Sequence, residues 1–151
     1  MSSVSADLAD ALKADAEHDD RDWPVTLTIR REYLYPLERA KMGDVKRLSI
    51  FPFEHTSERE GRNAIASERG IGFILRAAAK AADTNAVDTL IETIEALIDR
   101  YLLTPVNYGG TQDAVPQRVV LVNGDQVYDV DRLGKTNVFQ GGFVITHQTR
   151  S

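Results

Sequence analysis

The chain has 151 residues, no cysteine and a formal net charge of −5. Its length is typical of one domain, and a core of this size needs neither a metal nor a disulfide to fold. The absence of cysteine excludes disulfides, thiolate zinc sites and iron–sulfur clusters. The acidic balance argues against nucleic acid as the main ligand. The apolar runs are far shorter than the roughly 20 residues that cross a bilayer, and the first residues lack the features of a signal peptide.

The N-terminal segment predicts a short helix over the alanine-rich residues 6–16, with a thin apolar stripe of Leu8, Ala11 and Leu12. A charged run, residues 17–22, follows it. Two interpretations stay open, a frayed terminus or an arm that orders against a neighbouring subunit. We therefore divide the chain into an N-terminal helical arm, 1–22, and a single α+β domain, 23–151.

The sequence predicts mainly strands in the first half of the domain. Clean alternation predicts a strand over residues 25–31, and a second strand covers 46–53, with Pro52 at its exit or on an edge. Proline and glycine at the two ends of 36–43 predict a two-turn helix between them. Residues 70–80 predict a third strand whose alanine-rich end is also compatible with a helix.

The clearest element is a helix that starts at Thr84 or Asn85 and is stopped by Thr104–Pro105. Its apolar residues recur at three- and four-residue steps and predict one broad buried stripe. They are Val87, Leu90, Ile91, Ile94, Leu97, Ile98, Tyr101 and Leu102. The acidic side chains of Asp88, Glu92, Glu95 and Asp99 fall outside this stripe and are expected in water.

The C-terminal part predicts a glycine-containing loop at 106–113, a strand at 117–122, an extended or turn-like segment at 126–133 and a last strand at 138–147. Gly141 and Gly142 indicate a bulge or a close approach of backbone. The predicted fold class is α+β. A mostly antiparallel sheet is covered on one face by the long helix, and a short N-terminal helix and a long charged hairpin loop complete it.

The sequence contains no recognisable pattern of catalytic or metal-binding residues. His18, His55 and His147 have no ligand partner at helical spacing, and each is expected to be a surface or partly packed histidine. Closely spaced aspartates at 125–131 do not match a calcium loop. The paired glycines do not precede a helix as phosphate loops do. We therefore predict no catalytic residue, no metal, no cofactor and no enzymatic activity.

The polar, charge-mixed connection 54–69 is long for a compact domain. It is either a mobile solvated hairpin tip or an arm that docks on another subunit, where mixed charge sets orientation and register. The second interpretation makes six residues candidates for a subunit interface. They are His55, Arg59, Glu60, Arg62, Glu68 and Arg69.

The order of elements is similar to a known family. The residues that carry this likeness are a Tyr-Leu-Tyr-Pro exit at 33–36, Leu48-Ser49-Ile50-Phe51-Pro52-Phe53, the arginine-bearing polar loop, residues 70–80, the helix containing Val87-Asp88-Thr89-Leu90-Ile91-Glu92, Val127-Tyr128-Asp129 through Leu133, and Phe139-Gln140-Gly141-Gly142-Phe143-Val144-Ile145-Thr146. Together they resemble the neck and tail-terminator (tail-completion, head–tail joining) proteins of long-tailed bacteriophages. The likeness spans residues 25–148 and leaves the N-terminal helix unmatched.

This resemblance implies a homo-oligomeric ring, usually a hexamer, that caps the tail tube and meets both the tail tube protein and the head connector. DNA would pass through the lumen without specific binding, no membrane is involved, and the protein would be found in the virion and, during assembly, in the host cytoplasm. The charged loop and the N-terminal arm would make the ring contacts. Two alternatives remain: another phage structural subunit, such as a head-completion or tail-tube protein, or a small enzyme or regulatory binding module.

Overall fold

The computed structural model describes residues 3–33, 43–59 and 65–150, except the side chains of residues 57–59, 65, 66 and 150. Three helices lie within these ranges: α1 (Val4–Ala16), α2 (Thr84–Leu103) and α3 (Val130–Thr136). The strands are β1 (Thr28–Arg31), β2 (Arg47–Arg59), β3 (Ile65–Ala78), β4 (Val106–Gly109), β5 (Gln112–Leu121) and β6 (Val138–Arg150). The predicted helix at 36–43 falls almost entirely outside the described ranges.

The strands form one curled, six-stranded sheet in the order β1-β2-β3-β6-β5-β4, with the shape of a half-barrel. Only the β1–β2 pair is parallel. The predicted mixed α+β class with a mostly antiparallel sheet is therefore confirmed. The curl, and the number and lengths of the helices, differ from the prediction.

Helix α2 follows the sequence pattern closely. Val87, Leu90, Ile94, Leu97 and Tyr101 are buried, and Ile91, Ile98 and Leu102 pack against the same core as partly buried residues. The helix ends before Thr104, as predicted. Its N-cap is Asp83 rather than Thr84 or Asn85, because the Asp83 carboxylate accepts a hydrogen bond from the Ala86 amide at 3.2 Å.

Helix α1 belongs to the core of the same chain. Leu8, Ala9, Leu12 and Ala16 are buried, and the helix lies against β1, β2, β3 and β4, while α2 lies against β5 and β6. The face predicted to be covered by one long helix is thus covered by two. The segment is neither frayed nor detached within this chain. The domain boundary after residue 22 stays a prediction.

A single carboxylate joins these two helices. Asp15 of α1 accepts two hydrogen bonds from Arg21, two from Arg100 of α2 and one from the Tyr101 hydroxyl at 2.8 Å. Burial alone would raise the pKa of Asp15, but the bonds from Arg100, Arg21 and Tyr101 outweigh it and hold this pKa well below its usual range. Burial and the bond to Asp15 raise the pKa of Tyr101 in turn.

Two segments predicted as loops are regular structure. Residues 54–59 and 65–69 continue β2 and β3 as an antiparallel pair, so the connection between the strands is far shorter than predicted. Residues 106–109 form β4, and β5 starts at Gln112, five residues before the predicted strand. Pro116 obscured this early start because proline is uncommon inside strands; here it pairs with His147 beside a register shift that skips Gln117.

Helix α3 also corrects the sequence interpretation, which made residues 126–133 extended or turn-like. The Asp129 carboxylate caps it by accepting from the Arg132 amide at 3.0 Å. At its other end Asn137 has a left-handed φ of 54°, a helix-ending conformation that asparagine adopts more readily than most residues.

The paired glycines of β6 mark a close approach of backbone, one of the two predicted alternatives. The β3–β6 register runs without a shift past them. A Cβ at Gly142 would lie 2.1 Å from the Phe73 carbonyl oxygen, and one at Gly141 would lie 2.5 Å from the Val127 carbonyl oxygen. Both contacts are with backbone, which cannot turn aside as a flexible side chain can.

We expect Gly142→Ala to lower the free energy of unfolding by about 3 kcal/mol, because its methyl group must displace the β3 backbone. Gly134→Ala is the matched control, since a Cβ there meets nothing within 4 Å and the residue lies in α3. Alanine should leave stability unchanged or raise it by up to about 1 kcal/mol at that helical position. Urea denaturation measures both. Equal stability of the two variants would contradict the close approach.

We expect Asp15→Asn to lower the free energy of unfolding by about 2 kcal/mol at pH 7, because bonds from two guanidinium groups lose their charged acceptor. The stabilisation is present above the unfolded-state pKa of about 3.8 and is lost as the pH falls below it. The difference between variant and wild type should therefore shrink in acid. The exposed Asp19→Asn should change stability by less than about 0.5 kcal/mol at either pH.

Candidate functional site

Four of the six predicted interface residues, His55, Arg59, Glu68 and Arg69, lie on the extension of β2 and β3. His55 is exposed and pairs in register with Arg69, which in turn pairs with His147 of β6. Glu68 points to the other face, where its carboxylate meets Arg118 of β5 at 3.1 Å. Arg59 lies in β2, but its side chain is outside the description, as are Glu60 and Arg62 entirely.

Among the described residues, the outer edge of β2 has no strand partner along this extension, and we call it the open β2 edge. Strand β1 pairs only with residues Arg47–Ile50, whereas β2 continues to Arg59. Within the described ranges, no strand pairs with the outer edge of β2 beyond Ile50. Glu54, His55 and Thr56 are exposed there. Unpaired amides and carbonyls along a polar edge can accept a strand or a loop from another chain.

On the helix-covered face, the apolar core gives way to polar residues along this extension. Ile71 and Ile145 are the last apolar pair, and the next pairs in register are Arg69 with His147 and Ser67 with Thr149. We call six residues at this end of the core the Arg69 cluster. They are Ser5, Ser67, Arg69, Tyr108, His147 and Thr149.

Arg69 connects three elements within this cluster. Its Nε donates to the Thr149 hydroxyl at 3.1 Å, and its Nη1 donates to the Ser5 hydroxyl of α1 at 2.8 Å. The Thr149 hydroxyl in turn donates a hydrogen bond to the Ser67 backbone carbonyl oxygen at 3.5 Å. Burial lowers the pKa of Arg69, and the nearby Tyr108 phenol acts in the opposite direction. The guanidinium is thus positioned by neutral oxygens.

His147 is fully buried beside Arg69, which corrects the expectation of a surface or partly packed histidine. Within the described residues, neither ring nitrogen has a partner at good hydrogen-bonding geometry. Burial lowers the pKa of His147 to about 4, and the backbone carbonyls of Ile145 and Arg69 lie near enough to oppose that shift in part. The imidazole is therefore neutral at pH 7. Sequence alone carried no signal for its burial except its place in phase with Phe143 and Ile145.

The opposite face of the sheet carries an apolar groove of about 560 Å³. Ile74 of β3 and Val144 of β6 form its floor, and Phe53 and Val120 stand at its sides with 60% and 53% of their surfaces exposed. Among the described residues that line it, none has a titratable side chain. Exposed apolar surface of this kind is typical of protein–protein contacts.

A second cleft of about 600 Å³ lies between the end of α1 and β1, and it contains most of the charged run 17–22. Arg21 is already bound to Asp15, and the His18 Nδ1 accepts from the Asp20 amide at 3.1 Å within its own turn. Among the described residues, no three histidine or carboxylate side chains are grouped as metal ligands would be. No helix in the described ranges is long and apolar enough to cross a membrane.

Comparison with known proteins finds a solved structure that is similar to this chain. It is the sheath/tube terminator, in the extended state, of the extracellular contractile injection system PVC, determined by cryo-electron microscopy. The two share 14% identity with a TM-score of 0.45, and the match covers 100% of this chain and 57% of the other. The chain therefore spans little more than half the length of that terminator. A likeness this distant carries no argument about function.

No protein-family model matches the chain, and no curated protein sequence does.

The buried imidazole makes stability depend on pH. Because the pKa of His147 is about 4 when folded and about 6.5 when unfolded, the unfolded chain takes up the proton first as the pH falls. Its contribution is complete above pH 6.5 and declines between pH 6.5 and 4, by up to about 1.4 kcal/mol per pH unit.

Urea denaturation of the wild type and His147→Met at several pH values measures this component. The variant has no titrating group at this position, so its stability should fall less steeply than that of the wild type between pH 6.5 and 4. His55→Met removes an exposed histidine from β2, two strands away in the sheet, and should keep the wild-type slope. Parallel curves for wild type and His147→Met would show that His147 is protonated equally in both states.

Proposed function

We propose that this chain is a structural subunit of a phage neck, and that it forms a closed ring that caps the tail tube and joins it to the head connector. The ring is a homo-oligomer, most simply a hexamer, with a lumen through which DNA passes without specific binding. The protein acts in the virion and is made in the host cytoplasm. It needs no catalytic residue, metal or cofactor.

The likeness of residues 25–148 to neck and tail-terminator proteins gives the proposal its specific content. The observation that carries it in the structure is the open, polar edge of β2 beyond Ile50, on an extension where β2, β3 and β6 stay paired. A rigid, paired extension can dock on a neighbour with little loss of conformational entropy, whereas a flexible loop must be ordered first.

A ring of more than two subunits requires that two different surfaces of the subunit meet, because its repeating contact is heterologous. The open β2 edge is one such surface, and the exposed apolar groove on the opposite face offers a second. Their separate positions suit a cyclic assembly better than a symmetric dimer, in which the same patch must face itself.

The test is the assembly state of the purified chain, by mass photometry and negative-stain microscopy, alone and with tail tubes. We expect discrete rings, alone or on tube ends. A hairpin-shortened variant in which Asn-Gly replaces residues 58–66 closes the strands on the Ser57–Ser67 pair, a favoured two-residue turn. It should fold, as shown by circular dichroism, and remain monomeric.

A wild-type chain that stays monomeric at all concentrations and ignores tail tubes would overturn the proposal. Indefinite tubes in place of closed rings would instead indicate a tail-tube subunit. A metal or small molecule retained in native mass spectrometry would favour an enzyme or a binding module.

A further inference from the structure

Among the residues whose side chains the structure describes, most of the partly buried arginines have a carboxylate partner. Arg21 and Arg100 share Asp15, Arg47 pairs with Glu32, and Arg31 pairs with Asp10. Arg69 differs. Among the described residues, no carboxylate oxygen lies within 4.0 Å of its guanidinium, and both of its hydrogen bonds go to hydroxyl groups.

The environment of Arg69 is suited to an anion. A guanidinium has five N–H donors, so the bonds to Thr149 and Ser5 leave about three unused. The fork of an arginine matches a carboxylate in a bidentate arrangement, and such charge-assisted bonds are stronger than bonds to neutral acceptors. The neighbouring groups are hydroxyls and a neutral, buried imidazole, so nothing in the Arg69 cluster competes with an incoming anion.

The complementary charge lies on α2. Four acidic side chains at steps of four, three and four residues form a continuous stripe along its exposed side, Asp88, Glu92, Glu95 and Asp99. The described part of the chain provides no ion pair to any of them. We call these four residues the α2 stripe.

Within the described chain, neither a hydrogen bond nor an ion pair joins Arg69 to any of the four carboxylates, so the Arg69 cluster and the α2 stripe do not pair within one subunit. Two complementary surfaces that cannot satisfy each other within one subunit can do so between subunits, and the contact they make is heterologous. Such a pair fixes orientation and excludes wrong partners.

We propose that a second copy of this chain places a carboxylate of its α2 stripe on the guanidinium of Arg69, and that this ion pair sets the register between neighbouring subunits. The inference rests on the ring proposed above and specifies the chemistry of one of its contacts. Because the carboxylate approaches at the end of the core where α1, β3 and β6 meet, it locks the position of the neighbour relative to both α1 and the sheet.

A charge swap tests the pairing. Arg69→Glu and the double variant Glu92→Lys/Glu95→Lys should each weaken assembly at least tenfold in the apparent dissociation constant measured by mass photometry. Combining the three substitutions should restore most of the loss. The control is Asp125→Lys/Asp131→Lys, which makes the same change of net charge at exposed positions near α3 and should assemble as the wild type does.

Arg69 also holds Ser5 and Thr149, so thermal denaturation must show that Arg69→Glu is folded. If it is not folded, the Glu92→Lys/Glu95→Lys variant tests the pairing by itself, because the residues of the α2 stripe are exposed and have no ion pair within the described part of the chain. Wild-type assembly by Glu92→Lys/Glu95→Lys overturns the pairing, as does a triple variant no better than the single changes. If the wild type forms rings and the substitutions leave ring formation unchanged, only this inference is overturned. A wild type that stays monomeric overturns the proposed ring as well.

Discussion

The carboxylate of Asp15 is the constraint on which the rest of the structure depends. It accepts five hydrogen bonds from three side chains, Arg100 and Tyr101 of α2 and Arg21 of the segment between α1 and β1. The indole of Trp23 closes the same corner by donating to the Ala16 carbonyl at 3.0 Å. Because Asp15 fixes the end of α1 against the end of α2, the two helices cover the sheet together. Without that junction, a helix that buries only leucine and alanine side chains would have little to hold it.

The junction also determines where the apolar core stops. The Tyr101 ring, held by Asp15, lies over Phe73 with ring centroids 5.4 Å apart, and Phe73 stacks on Phe143 at 4.9 Å. Along β3 and β6 the next core pair is Ile71 with Ile145, and beyond it the helix-covered face becomes polar. Helix α1 crosses this boundary, with Leu8 and Leu12 in the core and Ser5 on Arg69. The candidate site is thus built from the continuation of core strands past the core.

Sequence periodicity predicted the helices and strands whose apolar residues simply follow the buried face. Helix α2 has a broad apolar stripe, and the alternation of Val25, Leu27 and Ile29 led correctly to β1, although that strand begins only at Thr28. Periodicity failed where polar residues form regular structure. The extension of β2 and β3 is stabilised by backbone pairing with β6, a non-local partner that no local pattern reveals.

The candidate site was predictable in part. The long polar connection in the sequence indicated where the site lies and included Arg69 among the candidates. The contacts of Arg69 with Ser5 and Thr149 were not predictable from local patterns, because they join residues 64 and 80 positions apart. The burial of His147 follows from the same register, which places it on the core face two residues beyond Ile145. Helix α1 was underestimated because alanine contributes little hydrophobic surface, and its attachment depends on a charged residue that ordinarily indicates solvent exposure.

The net charge of the chain and the local charge of Arg69 have opposite effects on the association of two copies. With a formal charge of −5, copies repel one another at a distance, and salt screens that repulsion. A partly buried guanidinium surrounded by neutral oxygens is screened much less than exposed charges. Its attraction for a carboxylate therefore acts mainly at contact, where geometry is already selective. On the proposed pairing, an acidic chain with such a cation at the end of its core would avoid indiscriminate association and still recognise one orientation of its neighbour.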